Sequence, residues 1–305
     1  MSATLPRRRV GPAAFLVLGA AALIAAYAAL WSLPAVTPGS VAPVWWMVLV
    51  GLFAASIANA TGAGGGVVFV PAFTLIAASG GPALTTQEVV ALSLLIQCFG
   101  MSAGSLSWAW RVQGAPDARA TFAALARILA PALGAGLPAL WLTQAFVRPD
   151  GPTLLLVFKG ASLLLGALLL LSTLRRARAD EAFELARTNT ALLLVGGAAG
   201  GVASALFSVG IGEVLALLLL LRGAGLTVSV AAAVIASAVV AIAAAPASFP
   251  VAAPHLSVLA ATAPGVLIGG WLGRMLALRL GTLSLKRLTG GWIVGSSLAL
   301  MALSG

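Results

Sequence analysis

Residues 59–66 read Asn-Ala-Thr-Gly-Ala-Gly-Gly-Gly, with Pro71 just beyond, and this stretch restricts the fold more tightly than any other. Both flanks, 45–58 and 67–78, are apolar enough for a membrane helix. Four glycines among the five residues 62–66 break such a helix, since each costs roughly 1 kcal/mol relative to alanine in a helix interior. A break at membrane depth frees backbone N–H and C=O groups, which survive only where protein or a water-filled cavity surrounds them. A second break follows the same plan at Ser208-Val209-Gly210-Ile211-Gly212-Glu213. Two matched breaks in the two halves of an apolar chain point to a binding site near the membrane midplane.

Composition puts both breaks in a bilayer. The 305 residues are 61% hydrophobic and 8% charged, with a mean hydropathy of +1.10. No soluble domain holds that balance, so the chain reads as an all-α polytopic membrane protein. The net charge of +10 does not mark a nucleic-acid surface, because the basic residues sit in short loops between apolar spans. A single cysteine, Cys98, excludes an internal disulfide framework and a cysteine-based metal site. The single histidine, His255, follows Pro254 in a short loop, which argues against a serine–histidine membrane protease. The largest polar stretch, 175–189, leaves no room for a soluble domain.

Arg7, Arg8 and Arg9 precede an apolar run over 12–33. A signal peptide starts similarly, but this run is long enough to span a membrane and reads as a retained helix with the N-terminus inside. Further spans are expected at 45–79 with the first break, 84–108, 121–146 and 152–174. After the polar loop follow 190–221 with the second break, 226–245, 256–278 and 284–304. A broken segment plus three full spans is thus stated twice. Pro131 and Gly136 match Pro264 and Gly269, and Gly151…Gly160 matches Gly281…Gly290, which suggests duplication. The expected units are an N-terminal segment with an extra helix (1–40), repeat 1 (41–174), a cytoplasmic loop (175–189) and repeat 2 (190–305).

Charge decides how the broken segments run. If each is a hairpin that enters and returns on one side, the inside loops collect Arg111, Arg119, Arg175, Arg176, Arg178, Arg187 and the other loop cations, and Arg148 alone stays outside. If each crosses once, those six move outside and the positive-inside bias nearly vanishes. The hairpin version leaves three crossings per repeat, an odd number, so the two repeats are expected to be inverted. Each arm of about 15 residues is roughly 22 Å long, too short to span upright and long enough to pass mid-membrane.

At this point the residues resemble a known family. Ala55–Pro71, ASIANATGAGGGVVFVP, resembles the signature of the sulfite exporter TauE/SafE permeases, in which a glycine-rich G-x-G-G-G and a nearby proline open each half. Residues 88–108 resemble the span after that signature, and the likeness covers about 45–303. It implies a two-repeat permease for sulfite, organosulfonates or related sulfur oxyanions, usually exported, in the cell (plasma or inner) membrane. The second motif departs from the pattern by carrying Glu213.

Each break offers donors for an anion. A helix that starts at a break turns free N–H groups and a positive dipole end toward the midplane, where glycine lets a small oxyanion approach the backbone. The expected substrate-binding set is therefore Asn59, Thr61, Gly62, Gly64, Gly65 and Gly66 at the first break, with Thr61 also a cap, and Ser208, Gly210 and Gly212 at the second. Glycines that merely let helices pack closely are the competing reading, although packing motifs space them four apart. Glu213 is the one acid well inside an apolar stretch, hence a functional candidate. Either it takes up a proton when the oxyanion binds, coupling transport to protons, or it stabilises the first turn of its own helix. Lys159, within a span, either attracts the anion or neutralises Glu213, or snorkels to the outer interface. Ser93 and Gln97, four apart on one helical face, line the cavity or bond a neighbouring helix. Glu88 is expected to be solvated near a span start, Cys98 to pack as a small apolar residue, and Trp45, Trp46, Trp108, Trp110 and Trp141 to form interfacial belts.

No glycine run continues into Gly-Lys-Ser/Thr, so a nucleotide-driven pump is excluded. One loop histidine, one buried cysteine and no paired acids give no catalytic constellation. The leading expectation is a secondary transporter, needing no cofactor or metal. A channel-like anion uniporter of the same architecture and a non-transporting membrane scaffold are the alternatives.

Overall fold

The computed structural model describes residues 12–66, 68–69, 72–73, 84–147, 150–171 and 189–302. Arg7–Arg9, Pro71, most of the second arm of the first break and the loop over 175–188 lie outside the described residues.

The described chain is helical: α1 Pro12–Leu30, α2 Pro38–Val41, α3 Met47–Thr61, α4 Thr86–Gln113, α5 Ala118–Phe146 and α6 Gly151–Leu171, then α7 Thr190–Phe207, α8 Ile211–Leu221, α9 Leu226–Ala252 and α10 Leu256–Ala302. Residues 256–302 form two helical segments that meet at Gly281, whose backbone (φ 69°, ψ 171°) is not helical, so the chain divides between the two spans that the hydropathy pattern expects over 256–278 and 284–304. By length and apolarity, four helical stretches among the described residues can cross a membrane: Thr86–Gln113, Ala118–Phe146, Thr190–Phe207 and Leu226–Gly281. A fifth is reached if Pro38–Val44 and Met47–Thr61, bent by 64°, count as one span.

Both breaks form where the sequence puts them. α3 ends on Gly62 in the left-handed region (φ 78°), with its N–H bonded to Ala58 O. α7 ends the same way on Ser208 (φ 58°), bonded to Ser204 O. A non-glycine residue there costs about 1–2 kcal/mol, so Ser208 needs compensation from its surroundings. The arms of the second break are unequal: α7 has 18 residues and α8 has 11, against the 15 expected of each.

Small residues bring the helices together, as packing in lipid requires. In α10, a Cβ on Gly265 would lie 1.9 Å from Val48 O of α3, and one on Gly269 would lie 2.4 Å from Leu52 O. In α7, a Cβ on Gly197 would lie 2.1 Å from Ala132 O of α5, and one on Gly201 would lie 2.1 Å from Gly136 O. The first arm of each break is thus seated against a helix of the other half, and α4 and α9 pack together in the centre.

The helix ends sort onto two faces. Gly151 at the start of α6 sits beside Thr86 at the start of α4. The imidazole of His255, next to α10, lies 3.3 Å from the Glu88 carboxylate, so Glu88 has a partner besides its capping bonds with Thr85. On the opposite face, Arg274 stacks over Trp110 and Trp271, its Cζ 5.3 and 5.8 Å from the ring centroids, and its Nε donates to Ser107 Oγ at 2.8 Å. Trp45, Trp46, Trp110 and Trp141 are exposed in the manner of interfacial belts. Trp108 departs from that expectation. It is fully buried and its indole N–H donates to Asn59 O at 2.9 Å, so the ring is anchored on the end of α3.

Candidate anion-binding site

The two breaks meet in the protein interior. A Cβ on Gly64 would lie within 3.1–3.2 Å of Gln97 Oε1, Glu213 Oε1 and Ser208 O. One on Gly212 would stand 2.2 Å from Ser237 Oγ and 2.5 Å from Gly62 O. Only glycine lets the two backbones pass this closely.

Glu213 bridges them. It is the third residue of α8, 5% exposed. Its Oε2 accepts from the N–H of Gly210 at 2.8 Å, closing the first turn of its own helix. Its Oε1 accepts from the N–H of Gly64, across the contact between the breaks. One carboxylate therefore takes a backbone donor from each break. Of the two readings of Glu213 from the sequence, the bond to Gly210 bears out the cap of its own first turn, and the carboxylate also stands in the midst of the candidate donors.

Ser208 is held from α4. Gln97 Nε2 donates to Ser208 O at 2.9 Å and also to Ser208 Oγ, and that hydroxyl donates to Ser93 Oγ at 3.0 Å. These bonds, each worth about 0.5–1.5 kcal/mol net, offset the left-handed backbone. Ser93 and Gln97 thus bond a neighbouring element, and Gln97 also lines the cavity.

That cavity is bounded by Gly64, Leu94, Gln97, Ser208, Gly210 and Glu213, with Ser204, Ser237, Val240 and Ala241 completing it. Its volume is about 10 Å³, room for about one water. The structure therefore brings together Gly64, Gln97, Ser208, Gly210 and Glu213, with Ser93 and Gly212 one contact behind. Gly65 and Gly66 pack under the cradle, against the Gln97 stem and the carbonyls of Phe207 and Ser208. Gly62 shapes the turn.

Asn59, Thr61 and Lys159 lie elsewhere. Asn59 is fully buried between α4 and α10, its amide donating to Ala55 O and Gly100 O. A Cβ on Gly104 would overlap its carboxamide oxygen. The Thr61 hydroxyl donates to Ile57 O and accepts from the N–H of Ala63, so it tightens the turn out of α3. Lys159 is buried on α6, a helix apart from those that line the cavity.

Sequence reasoning missed Ser204 and Ser237. Ser204 Oγ accepts from the N–H of Ile211 at 3.2 Å, satisfying another free donor of α8. Ser237 is the eleventh residue beyond Leu226 at the start of α9, as Gln97 is the eleventh beyond Thr86 at the start of α4. Counting from the helix starts would have exposed that pairing.

Backbone N–H groups converging with hydroxyls and an amide can hold a small two- or three-oxygen anion. No curated protein and no solved structure matches the chain. The model of the family described as Sulfite exporter TauE/SafE matches residues 47–300, nearly the whole length, and the chain belongs to that family of membrane transporters.

Proposed function

We propose that the chain is a secondary active exporter of small sulfur-containing anions such as sulfite or organosulfonates. The anion is held at the midplane helix starts of the two breaks, and Glu213 takes up a proton when the anion binds, so that the two move together in an alternating-access cycle. The observation that carries this reading is the Glu213 carboxylate bonded to both Gly64 and Gly210. Donors that already accommodate a two-oxygen anion suit an oxyanion once the carboxylate withdraws. A protonated Glu213 no longer repels the substrate, which gives the two ligands a reason to travel together.

Two inverted repeats provide the frame for alternation. The reciprocal seating of α3 on α10 and α7 on α5 supports this, as does the recurrence of Gly62, Gly64 and Gly66 as Ser208, Gly210 and Gly212. Arg111 and Arg274 lie on one face, away from His255, which supports a cytoplasmic N-terminus and a plasma or inner membrane location. The bond from Gly210 to Glu213 favours a second reading, a channel-like uniporter in which Glu213 is a structural cap.

Uptake of labelled sulfite and of a small sulfonate into proteoliposomes, with and without an imposed pH gradient, tests the proposal. Gradient-dependent uptake supports proton-coupled transport; uptake indifferent to the gradient favours the uniporter; no uptake of either anion overturns the substrate class.

A further inference from the structure

A larger cavity of about 210 Å³ lies between the starts of α4 and α6 and the ends of α5 and α9, with Ala205 and Leu206 of α7 at its floor. Gln87, Thr143, Gln144 and Ser248 supply amides and hydroxyls on its walls. It opens on the face where α4 begins, the outer face in the orientation proposed above.

This vestibule and the anion cradle are laid along the same two helices. On α4, Gln87, Val90, Ala91 and Leu94 line the vestibule, and Leu94 and Gln97 line the cradle. Spacings of three and four keep all five on one helical stripe. On α9, Val251, Ser248 and Ala247 line the vestibule, and Ala241 and Val240 line the cradle. Ten residues of α4 separate Gln87 from Gln97, about 15 Å along the helix, which is half the hydrocarbon thickness. The stripes therefore run from the membrane face to the midplane.

Among the described residues Leu94 alone belongs to both linings, and it is 3% exposed. Opposite it, the α9 stripe passes through Ala244, whose methyl is fully buried, so the bulk closing the passage comes from α4. We infer that Leu94 is the constriction between the vestibule and the cradle and that it determines the size of the anion admitted. The vestibule receives a small oxyanion on neutral amide and hydroxyl groups, and passage to Gly64 and Gly210 requires the leucine side chain to turn aside. This rests on the transport reading above for its cargo, while the barrier itself is a property of the packing.

The test places a reporter cysteine on each side of Leu94 in a Cys98→Ala background, in lipid nanodiscs. Ala241→Cys reports the cradle and Gln144→Cys the vestibule, each treated with a methanethiosulfonate bearing an ethylsulfonate group. With Leu94 present, Gln144→Cys reacts and Ala241→Cys reacts slowly. Leu94→Ala is expected to raise the Ala241→Cys rate at least tenfold with the Gln144→Cys rate unchanged, and Leu94→Trp to suppress it. Leu94→Val, smaller by one carbon, gives an intermediate rate and serves where Leu94→Ala fails to fold. An Ala241→Cys rate independent of residue 94, or a Gln144→Cys as unreactive as the cradle, overturns the inference. The labelling needs no transport. If rates follow residue 94 while sulfite and sulfonate stay unmoved, the substrate reading falls and the constriction stands.

Discussion

The two breaks share a backbone plan and differ in what completes it. The first is finished mainly by glycine: Gly62 takes the left-handed turn, which the Thr61 hydroxyl tightens, and the Gly64 N–H donates to Glu213. The second puts side chains at the corresponding steps. Ser208 takes the left-handed turn with support from Ser93 and Gln97, and Glu213 supplies a carboxylate that reaches both breaks. A degraded copy of a signature is thus where the chemistry gathers. Glycine leaves backbone N–H groups uncovered at the first break, whereas the side chains of the second break place a carboxylate on them.

The largest effect on this comparison is expected at the crossing of the backbones. Gly212→Ala drives a methyl into Gly62 O and Ser237 Oγ, and because a backbone carbonyl yields little, a loss of about 3 kcal/mol is expected. Gly64→Ala meets two side chains and a carbonyl at 3.1–3.2 Å. It should fold and lose transport, since its methyl crowds Glu213. Thermal unfolding followed by monodispersity, read beside anion flux, separates the two; equal stability of both variants would break the contrast.

Next in size is Asn59→Ala, which removes the amide bonds to Ala55 O and Gly100 O. A cost of about 1–3 kcal/mol in stability is expected, with flux per folded molecule far less affected than in Gly64→Ala. A selective loss of flux would return Asn59 to the site.

Ser208 gives the finest discrimination. Ser208→Ala keeps the left-handed strain and loses the hydroxyl bonds, whereas Ser208→Gly loses the same bonds and relieves about 1–2 kcal/mol of strain. Glycine should therefore be the milder replacement, nearer to the wild-type melting temperature, and the reverse order would show that Ser208 is not held by its backbone conformation.

Both breaks, their positions, and the helical membrane-spanning class were legible in the sequence, because a cluster of glycines interrupts a helix even inside a long apolar run. Glu213 was legible because one carboxylate in a long apolar stretch stands out. The placement of Asn59 was not, since its role depends on Gly104 and Gly273 lying across from it in other helices. Nor was Leu94, one leucine among many, which acquires meaning only from the cavities on its two sides. The division at Gly281 was legible as well, since the expected spans end at 278 and resume at 284 and the non-helical residue stands in that gap.

The proposed uptake of a proton by Glu213 together with the anion is tested most directly by comparing wild type with Glu213→Gln in proteoliposomes, measuring labelled sulfite uptake with and without an imposed pH gradient. Proton-coupled transport predicts that the gradient accelerates uptake by the wild type and leaves Glu213→Gln unaffected. An equal response to the gradient in both proteins would contradict it and leave Glu213 as the cap of its own helix.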